Sequence, residues 1–359
     1  MPGVIAGALG LSLALTACGS DDGGDGGDGG GGGAAADAKI GVILPDTESS
    51  VRWETADRPN LESAFEEAGV EYDIQNAQGD ADRMAQIADS MIASGVTVLA
   101  IVNLDNASGA AIQEKAKNQG VATIDYDRLT LGGSAEYYVS FDNEKVGQLQ
   151  GEGLQECLGP DTKANIVFLN GSPDDSNATS FAKGAHSVLD KNTNYKKVAE
   201  QAVPGWDNEE AGVIFEQMFT QNQGNIDGVL AANDGLGGAA IAILEKNGVN
   251  GKVPVTGQDA TVQGLQDILS GDQCMTVYKS AKQEAGALAE LAIALANGEE
   301  GETNGTSQDT EGGREVPSVL LDPVSITKDN VKEVIDDGGQ KAEDVCKGFE
   351  QECADAGIS

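Results

Sequence analysis

Residues 96–126 read VTVLAIVNLDNASGAAIQEKAKNQGVATIDY. Two β-branched apolar runs, 96–102 and 121–126, enclose a stretch, 107–119, whose apolar residues recur at helical spacing before a stop at Gly120. Strand, helix and strand in this order predict a parallel pair covered by its crossover helix. The alternation continues outward from this unit. On its N-terminal side, 39–44 and 72–76 read as strands, and 56–68 and 81–94 as helices. On its C-terminal side the strands are 137–141, 165–169, 198–203, 228–232, 253–256 and 274–278. Helices over 144–157, 177–191, 208–222, 236–247 and 262–270 separate them, and an Ala-rich helix covers 281–297. A Gly/Glu/Thr-rich loop, 298–313, leads to a strand at 316–321 and an acidic tail. The predicted fold class is α/β, with parallel sheets covered by helices on both faces.

The 359 residues carry 22 Lys+Arg against 59 Asp+Glu, a formal charge of −37. At roughly 150 residues per domain, the length suggests two domains with substantial cores. A chain this acidic lacks the cations that displace counterions from phosphates, which argues against nucleic acid and against adsorption on an anionic membrane face. The single histidine, His186, lies in a polar stretch and reads as a solvated helix position. That argues against triad hydrolases and His-rich metal enzymes. No calcium-loop spacing, P-loop, HExxH or Gly-x-Ser-x-Gly occurs, and no dinucleotide-binding glycine pattern stands between a predicted strand and helix. The expectation is a binder with no metal and no cofactor.

Residues 4–15 are apolar and small, too short for a membrane span and fitting the hydrophobic part of a signal peptide. Leu15-Thr16-Ala17-Cys18 follows. It resembles the bacterial lipobox, in which a peptidase cuts before the cysteine and Cys18 is lipidated. No Lys or Arg precedes Lys39, so the usual positive start of such a leader is missing. Gly, Asp and Ala make up nearly all of 19–37, a composition that predicts a flexible linker. The expected protein is extracytoplasmic and monomeric, tethered to the outer face of the cell membrane by its N-terminal lipid alone. Four cysteines remain besides Cys18, and an even number in an exported chain predicts disulfides. Three pairings are open. The seven-residue spacing of Cys346 and Cys353 suggests a local bridge, which would leave Cys157 with Cys274.

Open parallel sheets bind ligands at the carboxyl ends of their strands. Polar residues gather there throughout this chain: Asp46, Asn103, Asp125, Asp127 and Arg128, Asp142 and Asn143, and 170–177. Trp206, Asn233, Asp234, Gln258, Asp259 and Lys279 continue the series. A cluster at nearly every strand end suggests two lobes facing one polar ligand.

The segments Val51-Arg52-Trp53, Tyr126-Asp127-Arg128, Ser140-Phe141-Asp142-Asn143-Glu144-Lys145-Val146-Gly147 and Gly171-Ser172-Pro173 occur in order. Gly205-Trp206, Asn233-Asp234, Gly257-Gln258-Asp259-Ala260 and Met275-Thr276-Val277-Tyr278-Lys279 follow. Over residues 39 to 335 the set resembles the xylose-binding members of the type I periplasmic sugar-binding proteins. The resemblance implies two Rossmann-like lobes joined by three crossings, near Phe141, near Lys279 and around Leu320. The lobes would comprise 38–141 with 280–319, and 142–279 with 320–359. It implies a monosaccharide, D-xylose or a related aldose, held in the cleft and passed to an ABC permease and its ATPase. Carried across by motif, the ligand residues are Arg52, Trp53, Asp127, Arg128, Asp175, Asn177, Trp206, Asn233, Asp259 and Lys279. The stretch after Asn103 and the two-cysteine tail depart from the family's pattern.

These residue types suit a sugar. Burying about 100 Å² of its C–H face contributes roughly 2.5 kcal/mol, against about 8 kcal/mol for micromolar affinity. Hydroxyl contacts to charged groups, about 1.5–3 kcal/mol each, must supply the rest. Asp accepts, Arg and Lys donate, Asn does both, and the two tryptophans offer flat faces. Three rivals differ in kind. A glycosidase would use Asp127 with Asp175 or Asp259 as its paired carboxylates. A sugar-sensing receptor would present the ligand to a signalling partner. A sugar-responsive repressor would need a basic DNA-binding helix pair, and the leader and linker occupy that place.

Overall fold

Strand β1 (Lys39–Leu44) is fully covered from Ile40 onward, because sheet neighbours flank it and helices cover both of its faces. In the computed structural model, which describes residues 38–358, it opens the first of two lobes. The leader with Cys18 and the linker lie outside the described residues. After β1 come a π-helical turn (Trp53–Asp57), α1 (Arg58–Ala68), β2 (Glu71–Asn76), α2 (Ala81–Ala93), β3 (Val98–Ile101), α3 (Asn106–Asn118), β4 (Ala122–Tyr126) and β5 (Tyr137–Phe141). β1 lies parallel between β2 and β3, β3 pairs with β4, and β4 with β5.

The chain then builds a second sheet. Its elements are α4 (Asn143–Leu158), β6 (Ala164–Asn170), α5 (Ser176–Leu189), β7 (Tyr195–Ala202), α6 (Asn208–Gln221), β8 (Gly228–Ala231), α7 (Asp234–Lys246), α8 (Val262–Ser270) and β9 (Thr276–Tyr278). β6 runs parallel between β7 and β8. The chain returns to the first sheet through α9 (Ala281–Ala296), β10 (Gly305–Asp309) and β11 (Arg314–Leu321), with β11 parallel to β5. It crosses once more to β12 (Val324–Ile326), which pairs antiparallel with β9. Helices α10 (Val331–Asp336), α11 (Ala342–Val345) and α12 (Glu350–Asp355) close the described chain.

Separate cores hold the lobes. Phe65, Tyr126, Leu288 and Leu291 fill one face of the first sheet, and Met84, Met91 and Ile112 the other. Phe215, Leu236 and Leu244 pack under the second sheet, and Leu154, Phe168 and Leu189 over it. Each such side chain contributes about 1.5–3 kcal/mol by leaving water. α8, β9, β12 and the tail helices make a further cluster around Leu265, Ile268 and Val345. Disulfides join Cys157 to Cys274, at the end of α4 and before β9, and Cys346 to Cys353 within the tail.

Some sequence expectations need correction. Residues 253–256 make one bridge, Val229 to Val255, rather than a full strand. The loop expected over 298–313 contains β10, a polar edge strand antiparallel to β11. The helix expected from 56 begins as the π-helical turn at Trp53. His186 is only partly solvated: its ring stacks on Phe168 at 4.4 Å, and Nε2 lies 2.9 Å from Glu200.

Candidate functional site

The loops leaving the strand ends of both sheets converge on one cavity, which all ten residues named above line together. Asp127 lines it from the end of β4. Its backbone is left-handed, φ 59°, a conformation that costs a non-glycine residue energy and persists only where its surroundings impose it. Here they do. The Asp127 carbonyl accepts from Tyr138 Oη (2.9 Å), Ser140 Oγ (2.9 Å) and Asn177 Nδ2 (2.8 Å). The carboxylate meets Arg52 Nη1 and Lys279 Nζ, both at 3.2 Å. Burial opposes its charge, yet Lys279, Arg52 and Arg128 outweigh that and hold its pKa below the usual carboxylate range.

Arg52 is held from behind. Asp57, from the π-helical turn, grips it with two bonds, Nε to Oδ2 (2.8 Å) and Nη2 to Oδ1 (2.6 Å). Tyr126 Oη donates to the same carboxylate, and Glu284 of α9 meets Nη2. Burial and the neighbouring Asp127 raise the Glu284 pKa, although Arg52 pulls it down. A bidentate carboxylate fixes the guanidinium plane, so Nη1 is aimed into the cleft.

Ser49 organises the same wall. Its Oγ accepts from Trp53 Nε1 and Arg128 Nη2, each at 3.1 Å, and donates to Asp46 Oδ2. Arg52 and Arg128 lie 4.7 and 5.5 Å from the centre of the Trp53 ring. Arg128 Nη1 donates to the Asn103 carbonyl at 3.1 Å. Its Nε lies 3.1 Å from Asp175 but is out of line for a hydrogen bond.

The second lobe supplies the facing wall. Asp175 divides its oxygens: Oδ1 caps α5 through Asn177 N (2.8 Å), while Oδ2 accepts from Trp206 Nε1 (3.1 Å). Burial raises its pKa. Trp206, at φ 58° after Gly205, meets Phe181 edge to face at 6.4 Å. Its ring lies against the backbone of Gly171, where an added Cβ would stand 2.0 Å from the ring, so only glycine fits. Asn233 caps α7 through Leu236 N. Asp259, at φ 96°, accepts from Ser50 Oγ across the cleft, and burial raises its pKa. Asn177 binds Asp127 from α5 and accepts from Asn143 Nδ2, with Tyr138 Oη 3.1 Å from its oxygen, so its amide ties the two lobes together.

Four further residues line the cavity: Ser49, Ser50, Phe181 and Gln258. Gln258 stands in the polar strand-end series; the other three carry no signal in residue type. The cavity between the walls holds about 30 Å³, room for a water or two. Larger clefts of about 740 and 590 Å³ adjoin it. The first shares Ser49, Ser50, Asn233 and Asp259 with the cavity, and the second Ser49, Arg128, Asp175 and Trp206. At that volume the cavity is too small for a ring-sized ligand while the walls stand as they do. Among the described residues no group of three His, Cys, Asp or Glu side chains could hold a metal. No described helix is long and apolar enough to cross a membrane.

Comparison with known proteins places this geometry. The periplasmic binding protein domain family matches residues 40–300. The D-xylose-binding periplasmic protein of Escherichia coli is 36% identical over 311 residues, 86% of this chain and 92% of that protein. A multiple sugar-binding periplasmic protein of Azospirillum brasilense is 34% identical, over 85% of this chain and 90% of its own length. An ABC transporter solute-binding protein of Clostridium phytofermentans, solved with bound β-D-glucose, superposes with a TM-score of 0.79 at 28% identity. That match covers 86% of this chain and 99% of the other.

Proposed function

The chain belongs to the type I periplasmic sugar-binding proteins, substrate-binding proteins rather than enzymes, and from that premise we propose that it captures one aldose, D-xylose foremost. The observation that carries this reading is the convergence of two lobes' strand-end loops on one cavity bearing three cations, three carboxylates and two tryptophans. Identity to the E. coli D-xylose-binding protein supports the pentose, and the glucose-bound neighbour supports a pyranose.

Arg52, Arg128 and Lys279 donate to hydroxyl oxygens, while Asp127, Asp175 and Asp259 accept from hydroxyl hydrogens. Asn233 offers both, and Asn177 holds the Asp127 carbonyl in place. Trp53 and Trp206 close on the two C–H faces. Each partner already has a satisfied bond in the protein, so the sugar exchanges bonds instead of creating them. Net affinity then rests on the hydroxyl pattern that matches every donor and acceptor at once.

The lobes, 38–141 with 280–319 and 142–279 with 320–359, hinge at the three crossings, and ligand contacts from both favour closure. The closed form docks on an ABC permease. Lipidation at Cys18 tethers the monomer outside the cell membrane. A tryptophan fluorescence titration with aldopentoses and aldohexoses tests the reading, since both tryptophans of the chain line the cavity. A saturable change with D-xylose supports it, and a flat response to every sugar contradicts it.

A further inference from the structure

We infer that Gln258 is a further ligand-contacting residue that discriminates among sugars by bonding one hydroxyl of the ring. This deepens the aldose reading above and rests on it. Gln258 is 3% exposed and lines the cavity beside Asp259. Its Oε1 is buried without a hydrogen-bond partner, and no hydrogen bond holds its carboxamide to another described residue. Buried polar atoms are nearly always paired, so an orphaned acceptor on a residue that lines a binding cavity marks a place where the ligand supplies the donor.

Comparison with other buried amides sharpens the point. Gln150, Gln273 and Asn143 also have an unpartnered oxygen. Their nitrogens are committed: Gln150 Nε2 to the carbonyls of Ala231, Ala232 and Gly257, and Gln273 Nε2 to Asp234 and Met275. Asn143 Nδ2 is held by Tyr138, Ser140 and Asn177. Those amides brace the protein. Gln258 braces nothing.

The main chain that carries it is nevertheless pinned. The Gln258 carbonyl accepts from Asp234 N (3.0 Å), and Asp259 N donates to the Val277 carbonyl (2.9 Å). Val277 N in turn donates to the Gly257 carbonyl (3.2 Å). At Gly257 a Cβ would stand 2.0 Å from Asp234 Oδ1, so the strand end cannot accommodate a larger residue there. Confined by burial on a pinned backbone, the carboxamide accepts from one ring hydroxyl and leaves the others alone.

The test measures binding of D-xylose and D-glucose, and of their monodeoxy derivatives at each ring hydroxyl, to the full chain and to Gln258→Leu. Gln258→Met, closer in length, serves as a second variant, and thermal melts verify that both fold. The inference expects about tenfold weaker binding of an intact sugar by either variant. It also expects one deoxy derivative that the variants bind as well as the unaltered protein does. An equal loss with every derivative would show that Gln258 acts only through structure, and no loss with any sugar would show that it makes no contact. If the unaltered protein binds none of these sugars, the aldose reading itself fails.

Discussion

Substituting Gly171 by alanine tests how the cleft holds its second tryptophan. The added Cβ would lie 2.0 Å from Cη2, 2.2 Å from Cζ2 and 2.5 Å from Cζ3 of Trp206, where ordinary contact begins near 3.4 Å. The indole must therefore move by more than an ångström. It cannot do so freely, since its Nε1 donates to Asp175 and its edge meets Phe181. Overpacking of this kind costs about 1–3 kcal/mol, and misaligning a bond to a carboxylate adds to it. Binding loses more than stability does. On the proposed reading this ring supplies about half of roughly 2.5 kcal/mol of apolar contact with the sugar, so a displaced ring weakens affinity about tenfold. Isothermal titration with D-xylose and a thermal melt read the two effects. Unchanged affinity together with an unchanged melting temperature would refute the packing argument.

Asp127→Asn leaves the Lys279 ammonium buried without the carboxylate it faces, while Arg52 keeps Asp57 and Glu284. Breaking a buried pair in this way costs about 3–5 kcal/mol, which urea unfolding of the variant measures. Asp125 and Asp234 are each raised to about 7 by burial, against which Thr130 and Thr276 pull. A carboxyl whose folded pKa is raised contributes stability that is full below its unfolded value, about 4, and is lost as pH rises through 7. The melting temperature therefore climbs as pH falls from 8 toward about 5, and Asp125→Asn flattens that climb. Replacing Cys157 and Cys274 by alanine opens a loop of 117 residues, against 7 for Cys346 and Cys353. Chain entropy puts the losses at about 4–5 and 2–3 kcal/mol, so urea midpoints of the two double variants fall in that order.

Much of the fold was legible because buried parallel strands are continuous apolar runs and their crossover helices carry a helical period. The reading failed where neither signal applies. β10, Gly-Thr-Ser-Gln-Asp, is polar because it is an edge strand whose partner on one side is solvent. Residues 253–256 are as β-branched as many strands, yet they make a single bridge to β8, Val255 with Val229, and Pro254 has no N–H to extend a ladder. The tail helices are four to six residues long, too short for periodicity to register, and they are held by a disulfide and the α8 core. At the site, the ten positions carried across by motif from the family resemblance all line the cavity. Ser49 escaped because a serine in a loop has no distinctive pattern, although it joins Trp53 and Arg128. Glu284 escaped inside an Ala-rich helix, where nothing in the sequence tells an inward carboxylate from an outward one.

A crystal structure of the full chain grown with D-xylose is the most direct test of the central claim. The account predicts one sugar between Trp53 and Trp206, its hydroxyls bonded to Asp127, Arg128 and Asp259. A sugar bound elsewhere, or one touching a single lobe, would contradict it.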